Sequence, residues 1–312
     1  IANQTTTANI TAKTLTATLS ASNKTYDGDA TVTSTLTLAG LIGSETLNKT
    51  YSAAFSDKNV GTGKTVTVSS ITLADGSNGG LASNYSISTG QTDTANITAK
   101  ALTISGITAS NKAYNGNTSA IIDVSSTSYT GLVDGDDLSV SATGIFDNKD
   151  VGTGKTVTLT STYAGADVGN YSITDQSSTT ANITAKALTA TASASNKTYN
   201  GNTTASVTLT FAGLVGSETL GQTVGATFAD KNVGTGKIVT VNSISLADGD
   251  NGGLASNYTI STGQTDTADI TVKALTISGI AASNKVYNGN ASATVDVSSA
   301  VYTGLVDGDD LT

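Results

Sequence analysis

Three carboxylates crowd one short stretch, Asp134, Asp136 and Asp137 in Val133-Asp134-Gly135-Asp136-Asp137-Leu138, and the stretch returns at Val306 to Leu311. Ca2+ takes clustered hard oxygens, so these aspartates are the candidate metal ligands. The twelve-residue calcium loop is absent, and the competing reading is a solvated turn whose Asp caps a helical turn. Gly61-Thr62-Gly63-Lys64-Thr65 and Gly152 to Thr156 have the look of a phosphate loop. That pattern needs Gly five residues before the Gly of Gly-Lys, where Lys58 and Lys149 stand, so a hairpin turn is expected instead. Thr31, Thr33, Thr35 and Thr37, with Thr65 and Thr67, make hydroxyl rows of the kind that bind sugars or ice. They are equally the wet face of antiparallel strands. Asn-X-Ser/Thr acceptor sites are dense, Asn84, Asn170 and Asn257 among them, and in an exported protein such sites carry glycans.

Catalytic partners for these groups are missing. The 312 residues include no His and no Cys, and all 15 basic residues are Lys. The commonest general base and metal ligand, thiol chemistry, disulfides and the bidentate Arg clamp are therefore all excluded. Glu occurs only at Glu45 and Glu218, in equivalent positions, so no carboxylate pair or triad can be built. We expect no enzyme and no resident cofactor, with Ca2+ as the one ion to consider. The net charge of −9 argues against nucleic acid and anionic membranes as partners. No apolar run approaches the ~18 residues of a membrane helix.

The elements that would position these groups are repeated. Ser22-Asn23-Lys24-Thr25-Tyr26-Asp27-Gly28-Asp29 returns from Ser110, Ser195 and Ser283, giving the pattern SNKxY[DN]G[DN] four times. Its fixed points are Tyr26 and Gly28, Tyr114 and Gly116, Tyr199 and Gly201, and Tyr287 and Gly289. Asp-Gly or Asn-Gly between alternating apolar runs signals a hairpin turn with both residues at positive φ, and the Tyr reads as a core or rim anchor. A second marker, Ala-Asn-Ile-Thr-Ala-Lys, starts at Ala8, Ala95 and Ala181, with a variant at Ala268. These markers divide the chain into the end of a preceding module (1–13), modules at 14–100, 101–186 and 187–273, and the start of a fourth (274–312). The longer period is the more regular: Tyr26 to Tyr199 (199 − 26) and Tyr114 to Tyr287 (287 − 114) are both 173 residues. Two unlike modules therefore alternate, one carrying Gly43 to Leu47 (GSETL), the other Val133 to Leu138 (VDGDDL).

Within a module the apolar period is two, as in Leu15, Ala17, Leu19 and again in Val32, Leu36, Leu38. The phase slips between Val66, Val68 and Ile71, Leu73, and likewise between Val239, Val241 and Ile244, Leu246. One extra residue does this, which predicts β-bulges near Ser69-Ser70 and Asn242-Ser243. Gly40 to Leu47 reads as a connection with one helical turn, and Asp57 to Gly63 as a turn. No stretch keeps a helical period. The expectation is an all-β tandem array of antiparallel, sandwich-like (immunoglobulin-like) modules. No flexible linker separates them at Lys100-Ala101, which implies stiff junctions and an extended rod. The expected partners are neighbouring modules of the same chain and, laterally, other copies, with no membrane insertion.

The SNKxY[DN]G motif, the GLVDGDDL and AGLxGSETL strings, the DKNVGTGK turn and the closing NITAK strand together resemble YDG-type repeats. These are similar to the MBG-type repeats of large bacterial surface proteins. Three of the four copies carry Asn in place of the Asp of YDG. The resemblance implies an exported, cell-surface or matrix-associated stalk that supports adhesion and biofilm, and it brings no catalytic residues. The alternatives are modules that themselves bind glycan or Ca2+, or that assemble laterally into filaments.

Overall fold

The computed structural model describes residues 3–311. They form an all-β protein, and the only helical pieces among the described residues are single 3₁₀ turns at Ala82–Asn84, Val168–Asn170 and Ala255–Asn257. The chain falls into two compact units. One comprises Ile1–Ser110, Ser119–Phe146 and Thr156–Thr180, and the other Asn111–Thr118, Asp147–Lys155 and Ala181–Thr312.

The first unit contains the whole first repeat. Strand Thr16–Ala21 pairs antiparallel with Ser34–Ala39, setting Leu19 opposite Leu36. The facing sheet runs in the order Lys24–Thr25, Thr92–Thr98, Gly61–Asp75, Leu47–Phe55. Alternate side chains of one face, Phe55, Val66, Val68, Ala95 and Ile97, are buried together with Leu19 and Leu36. Thr31, Thr33, Thr35, Thr37, Thr65 and Thr67 occupy the alternate, exposed positions. The Ala21 N–H donates to Asp93 Oδ2 at 2.8 Å, tying one sheet to the other.

The second unit repeats this arrangement. Thr189–Ala194 pairs with Val207–Ala212. The second sheet runs Lys197–Thr198, Thr265–Thr271, Gly234–Asp248, Leu220–Phe228, Thr204–Ala205. Leu209, Phe228, Val239, Val241 and Ile270 form its core, with Ala226 and Ala268 between them. Each fully buried aliphatic of this kind contributes about 1.5–3 kcal/mol. Beyond Thr271 the short strands Thr276–Ser278, Ala281–Ala282, Val295–Asp296 and Val301–Thr303 pair with one another and stay exposed.

The two bulges lie where the phase slip places them. Ser52 faces Ser70 while Ala53 faces Val68, leaving Ser69 as the extra residue. Gly225 faces Ser243 while Ala226 faces Val241, leaving Asn242. Long strand pairs are antiparallel, as expected, but short parallel pairs are added at the edges. Lys24 sits in parallel register with Ile97, and Lys100 with Tyr171.

Three local expectations are corrected. The helical turn is not in Gly40 to Leu47 but at Ala82–Asn84. Gly61-Thr62-Gly63 is not a hairpin turn but the start of the long strand Gly61–Asp75, bulged where Gly61 faces Ile97 and Lys64 faces Ala95. Gly63 takes φ +60° there, and its N–H donates to Asn96 Oδ1 at 2.8 Å. Finally, the Asp-Gly and Asn-Gly steps are not two-residue hairpins. Gly28, Gly116, Gly201 and Gly289 have positive φ, whereas the preceding Asp or Asn does not. The flanking strands do not pair with each other. Lys24–Thr25 joins the last strand of its repeat, while Ser34–Ala39 joins the first, so the YDG segment crosses between sheets.

Candidate functional site

Each SNKxY[DN]G[DN] segment is a loop built around its lysine. Lys24 Nζ donates to Asp29 Oδ1 and to the backbone oxygens of Asp29 and Thr31, each at 2.9 Å, and pairs with Asp27 at 2.6 Å. Lys197 Nζ does the same with Asn200, Asn202 and the Thr204 carbonyl, and Lys285 with Asn288 and Asn290. Burial pushes the Lys112 and Lys197 ammonium groups down. At Lys24 burial acts the same way, but the Asp27 and Asp29 carboxylates outweigh it and the group lies above its ordinary value. The preceding Asn anchors the loop to the last strand of its repeat: Asn23 Oδ1 accepts the Asn96 N–H at 2.7 Å, and Asn196 Oδ1 accepts the Asp269 N–H at 2.7 Å. The Tyr26 N–H then donates to the Thr98 carbonyl at 2.9 Å.

So held, the tyrosine reaches into the next repeat. In the first unit the Tyr26 hydroxyl donates to Asp136 at 2.8 Å (Oδ2) and 3.0 Å (Oδ1), across 110 residues of sequence. Tyr171 donates to the same Oδ2 at 2.5 Å, and the two rings meet edge to face at 5.6 Å and 77°. Lys58 Nζ lies 3.3 Å from Asp136 and 3.0 Å from Asp167. The Val133 N–H donates to the Tyr171 hydroxyl at 2.9 Å, and the Val60 N–H to Asn170 Oδ1 at 3.0 Å.

The second unit holds the same constellation with Glu in place of Asp. Tyr114 donates to Glu218 Oε1 and Tyr258 to Oε2, both at 2.6 Å. Lys149 Nζ is 3.0 Å from Glu218. The rings are 5.4 Å apart at 79°, and the Val151 N–H donates to Asn257 Oδ1 at 2.9 Å. Further along, Tyr199 donates to Asp309 at 2.9 Å with Lys231 3.9 Å away. Ahead of all these, Tyr85 donates to Glu45 and its hydroxyl accepts the Ile42 N–H at 3.1 Å.

The glycine of the loop is needed twice. Gly28, Gly116 and Gly201 have φ of +92°, +80° and +79°. A Cβ there would lie 2.7, 2.6 and 2.6 Å from Cγ1 of Val133, Val215 and Val306 of the next repeat. Only a hydrogen at this position lets the neighbouring valine close on the loop.

The electrostatics follow from this packing. Burial pushes the Asp136 carboxyl up, but hydrogen bonds from Tyr171, Tyr26 and Lys58 outweigh it and hold the group below the ordinary carboxylate range. Glu218 is lowered in the same way by Tyr114, Tyr258 and Lys149. Burial, then the adjacent carboxylate, pushes Tyr171 and Tyr258 up to about 12. A lowered carboxyl contributes stability that is present above its unfolded value, about 4, and is lost as pH falls through the folded value. A raised phenol contributes stability that is present below its unfolded value, about 10, and is lost as pH rises through the folded one. The junctions are therefore expected to hold fully between about pH 4 and 10 and to fail on both sides. Phenolate absorbance tests the alkaline limb. Tyr171 and Tyr258 should ionise near 12, together with loss of structure. Ionisation of both near 10 in the folded chain would contradict the buried tyrosine–carboxylate contact.

The three candidate aspartates do not converge on one point. Asp136 spends both oxygens on phenols and a lysine. Asp137 Oδ2 accepts the Ala166 N–H at 3.1 Å, while Asp134 is exposed. Among the described residues no group of three acidic side chains is placed to hold a metal ion. Of the four motif tyrosines, Tyr26 and Tyr114 are buried, Tyr199 is half-buried and Tyr287 is 92% exposed. Asn170 and Asn257 are 4% and 0% exposed and bound to the preceding repeat, so these two sequons are closed to a glycan in the folded junction. Sequence reasoning missed the carboxylate acceptors and the second tyrosines. The available signal was that Glu45 and Glu218 fall at the position of Asp136 and Asp309.

The YDG domain matches three times in tandem, over residues 11–95, 98–181 and 184–268. No curated protein matches the chain. Among solved structures, the crystal structure of the I9–I11 tandem from titin superposes loosely. It is 11% identical, covers 83% of this chain and 98% of that chain, and has a TM-score of 0.21.

Proposed function

The chain belongs to the YDG domain family, and from that premise we propose that it is the structural repeat region of a large bacterial surface adhesin or extracellular fibre. Its work is mechanical: it spaces a distal binding domain away from the cell and carries tension between the two. The observation behind this reading is the recurring clasp. At Asp136 and again at Glu218, side chains more than a hundred residues apart in sequence converge on one carboxylate. Adjacent repeats are thus joined by buried polar contacts as well as by the chain, which resists bending at the point where a plain linker would flex. The neighbouring repeats are the partners in this scheme, and the acidic, Thr-rich surface suits an exposed extracellular position.

Small-angle scattering on the 312-residue chain, with and without Ca2+, tests the proposal. A maximum dimension of roughly 120 Å or more, unchanged by Ca2+, is expected for repeats end to end at about 3.3 Å per strand residue. A compact particle would overturn the stalk. Extension only with Ca2+ would transfer the role to ion binding by Asp134, Asp136 and Asp137.

A further inference from the structure

The junctions are not identical. In the first unit the acceptor face carries two carboxylates, Asp136 and Asp167, and Lys58 bridges them at 3.3 and 3.0 Å. The residue after that lysine is neutral: Asn59, whose Oδ1 accepts from Asn170 Nδ2 at 3.3 Å. In the second unit the acceptor face carries one carboxylate, Glu218, because Leu254 starts the 3₁₀ turn that Asp167 starts in the other. The residue after Lys149 is now charged: Asp150, whose Oδ1 accepts from Asn257 Nδ2 at 2.9 Å. The negative charge has moved from one side of the junction to the other. The first two junctions thus hold two carboxylates each: Asp136 and Asp167, both paired with Lys58, in one, and Glu218, paired with Lys149, with Asp150 on Asn257 Nδ2, in the other. At the next junction Asn232 follows Lys231 and an Asp, Asp309, is the acceptor, as at the first.

We propose that this exchange is a pairing code, in which the charge at position 59 or 150 and the charge at position 167 or 254 select which kind of repeat docks next. The proposal rests on the clasp being the working part of the chain. A turn of the Lys-Asp-Val kind set against a face of the Asp136–Asp167 kind would add a third carboxylate, next in the chain to the lysine, to the two that Lys58 already bridges. Like charges this close oppose one another when they are shielded from water. The code keeps the two kinds of repeat in alternation and makes the pair, not the single repeat, the unit that can be added or removed without a misfitted junction. By the same rule the Glu45 face, with Leu81 in the position of Leu254, fits a Lys-Asp-Val turn.

The test is amide hydrogen exchange of the full chain, read at Val60, whose N–H is held by Asn170 Oδ1 across the junction. Asn59→Asp should speed Val60 exchange about tenfold, the equivalent of about 1.4 kcal/mol. Asp167→Asn, which keeps an oxygen for the Asp137 N–H, should return most of that protection in the double variant. Val151, held by Asn257 in the other unit, should not respond to either substitution. The code is overturned if Asn59→Asp leaves Val60 unchanged, or if Asp167→Asn fails to restore protection. Asp136→Asn separates the two ideas. If it speeds Val60 exchange while Asn59→Asp does not, the clasp stands and the code falls. If Asp136→Asn has no effect, both fall.

Discussion

Gly116→Ala is expected to destabilise the chain by about 2–4 kcal/mol, although it adds one methyl group to a surface loop. Two costs combine. Gly116 sits at φ +80°, where an L side chain crowds its own backbone, and that alone costs about 1 kcal/mol. The added Cβ would also lie 2.6 Å from Val215 Cγ1 of the next repeat, and relieving such an overlap in a packed contact costs about 1–3 kcal/mol. The two parts separate by a second substitution. Val215→Ala removes the opposing methyls, so Gly116→Ala/Val215→Ala should recover the steric part and keep the backbone part. The urea unfolding midpoint, followed by tyrosine fluorescence, reports both. A Gly116→Ala chain as stable as the parent, or one that Val215→Ala does not relieve, would show that the loop does not close on its neighbour as the structure places it.

How much of this was legible depends on the range of the physics involved. Strand periodicity is local, so Val66 and Val68 against Ile71 and Leu73 were enough to place the bulge at Ser69. The repeats were equally plain, because SNKxY[DN]G[DN] recurs. The same locality misled at Asp27-Gly28. An Asp-Gly step signals a hairpin only when its two flanking strands pair with each other. Here Lys24–Thr25 instead pairs with Thr92–Thr98, more than seventy residues on. Gly61-Thr62-Gly63 misled for a related reason. A glycine at positive φ serves a bulge inside a strand as well as a turn, and only the partner strand decides which. Which tyrosine meets which carboxylate was beyond reach from one sequence. Tyr26 and Asp136 are 110 residues apart, and nothing near either one names the other. Asp136 therefore read as one member of an acidic loop, when its nearest charged company is Lys58 of another repeat.

The second large effect concerns that long-range contact. Tyr114 and Glu218 meet at 2.6 Å, and the Glu218 residue is only 8% exposed. A hydrogen bond to a shielded charge contributes about 1.5–3 kcal/mol. Tyr114→Phe keeps the ring against Tyr258 and removes only the hydroxyl. Glu218→Gln keeps the shape and removes the charge that holds Tyr114, Tyr258 and Lys149. Each substitution alone should cost about 1–3 kcal/mol. In the Glu218→Gln background, where the carboxylate is already gone, removal of the Tyr114 hydroxyl should cost much less. The most direct measurement is therefore the double-mutant cycle of Tyr114→Phe and Glu218→Gln in the intact chain. A coupling of about 1 kcal/mol or more is predicted, because the tyrosine of each repeat is a clasp on the carboxylate of the next. Additive effects, with no coupling beyond a few tenths of a kcal/mol, would mean that the tyrosine is an ordinary core residue and the repeats are joined by the chain alone.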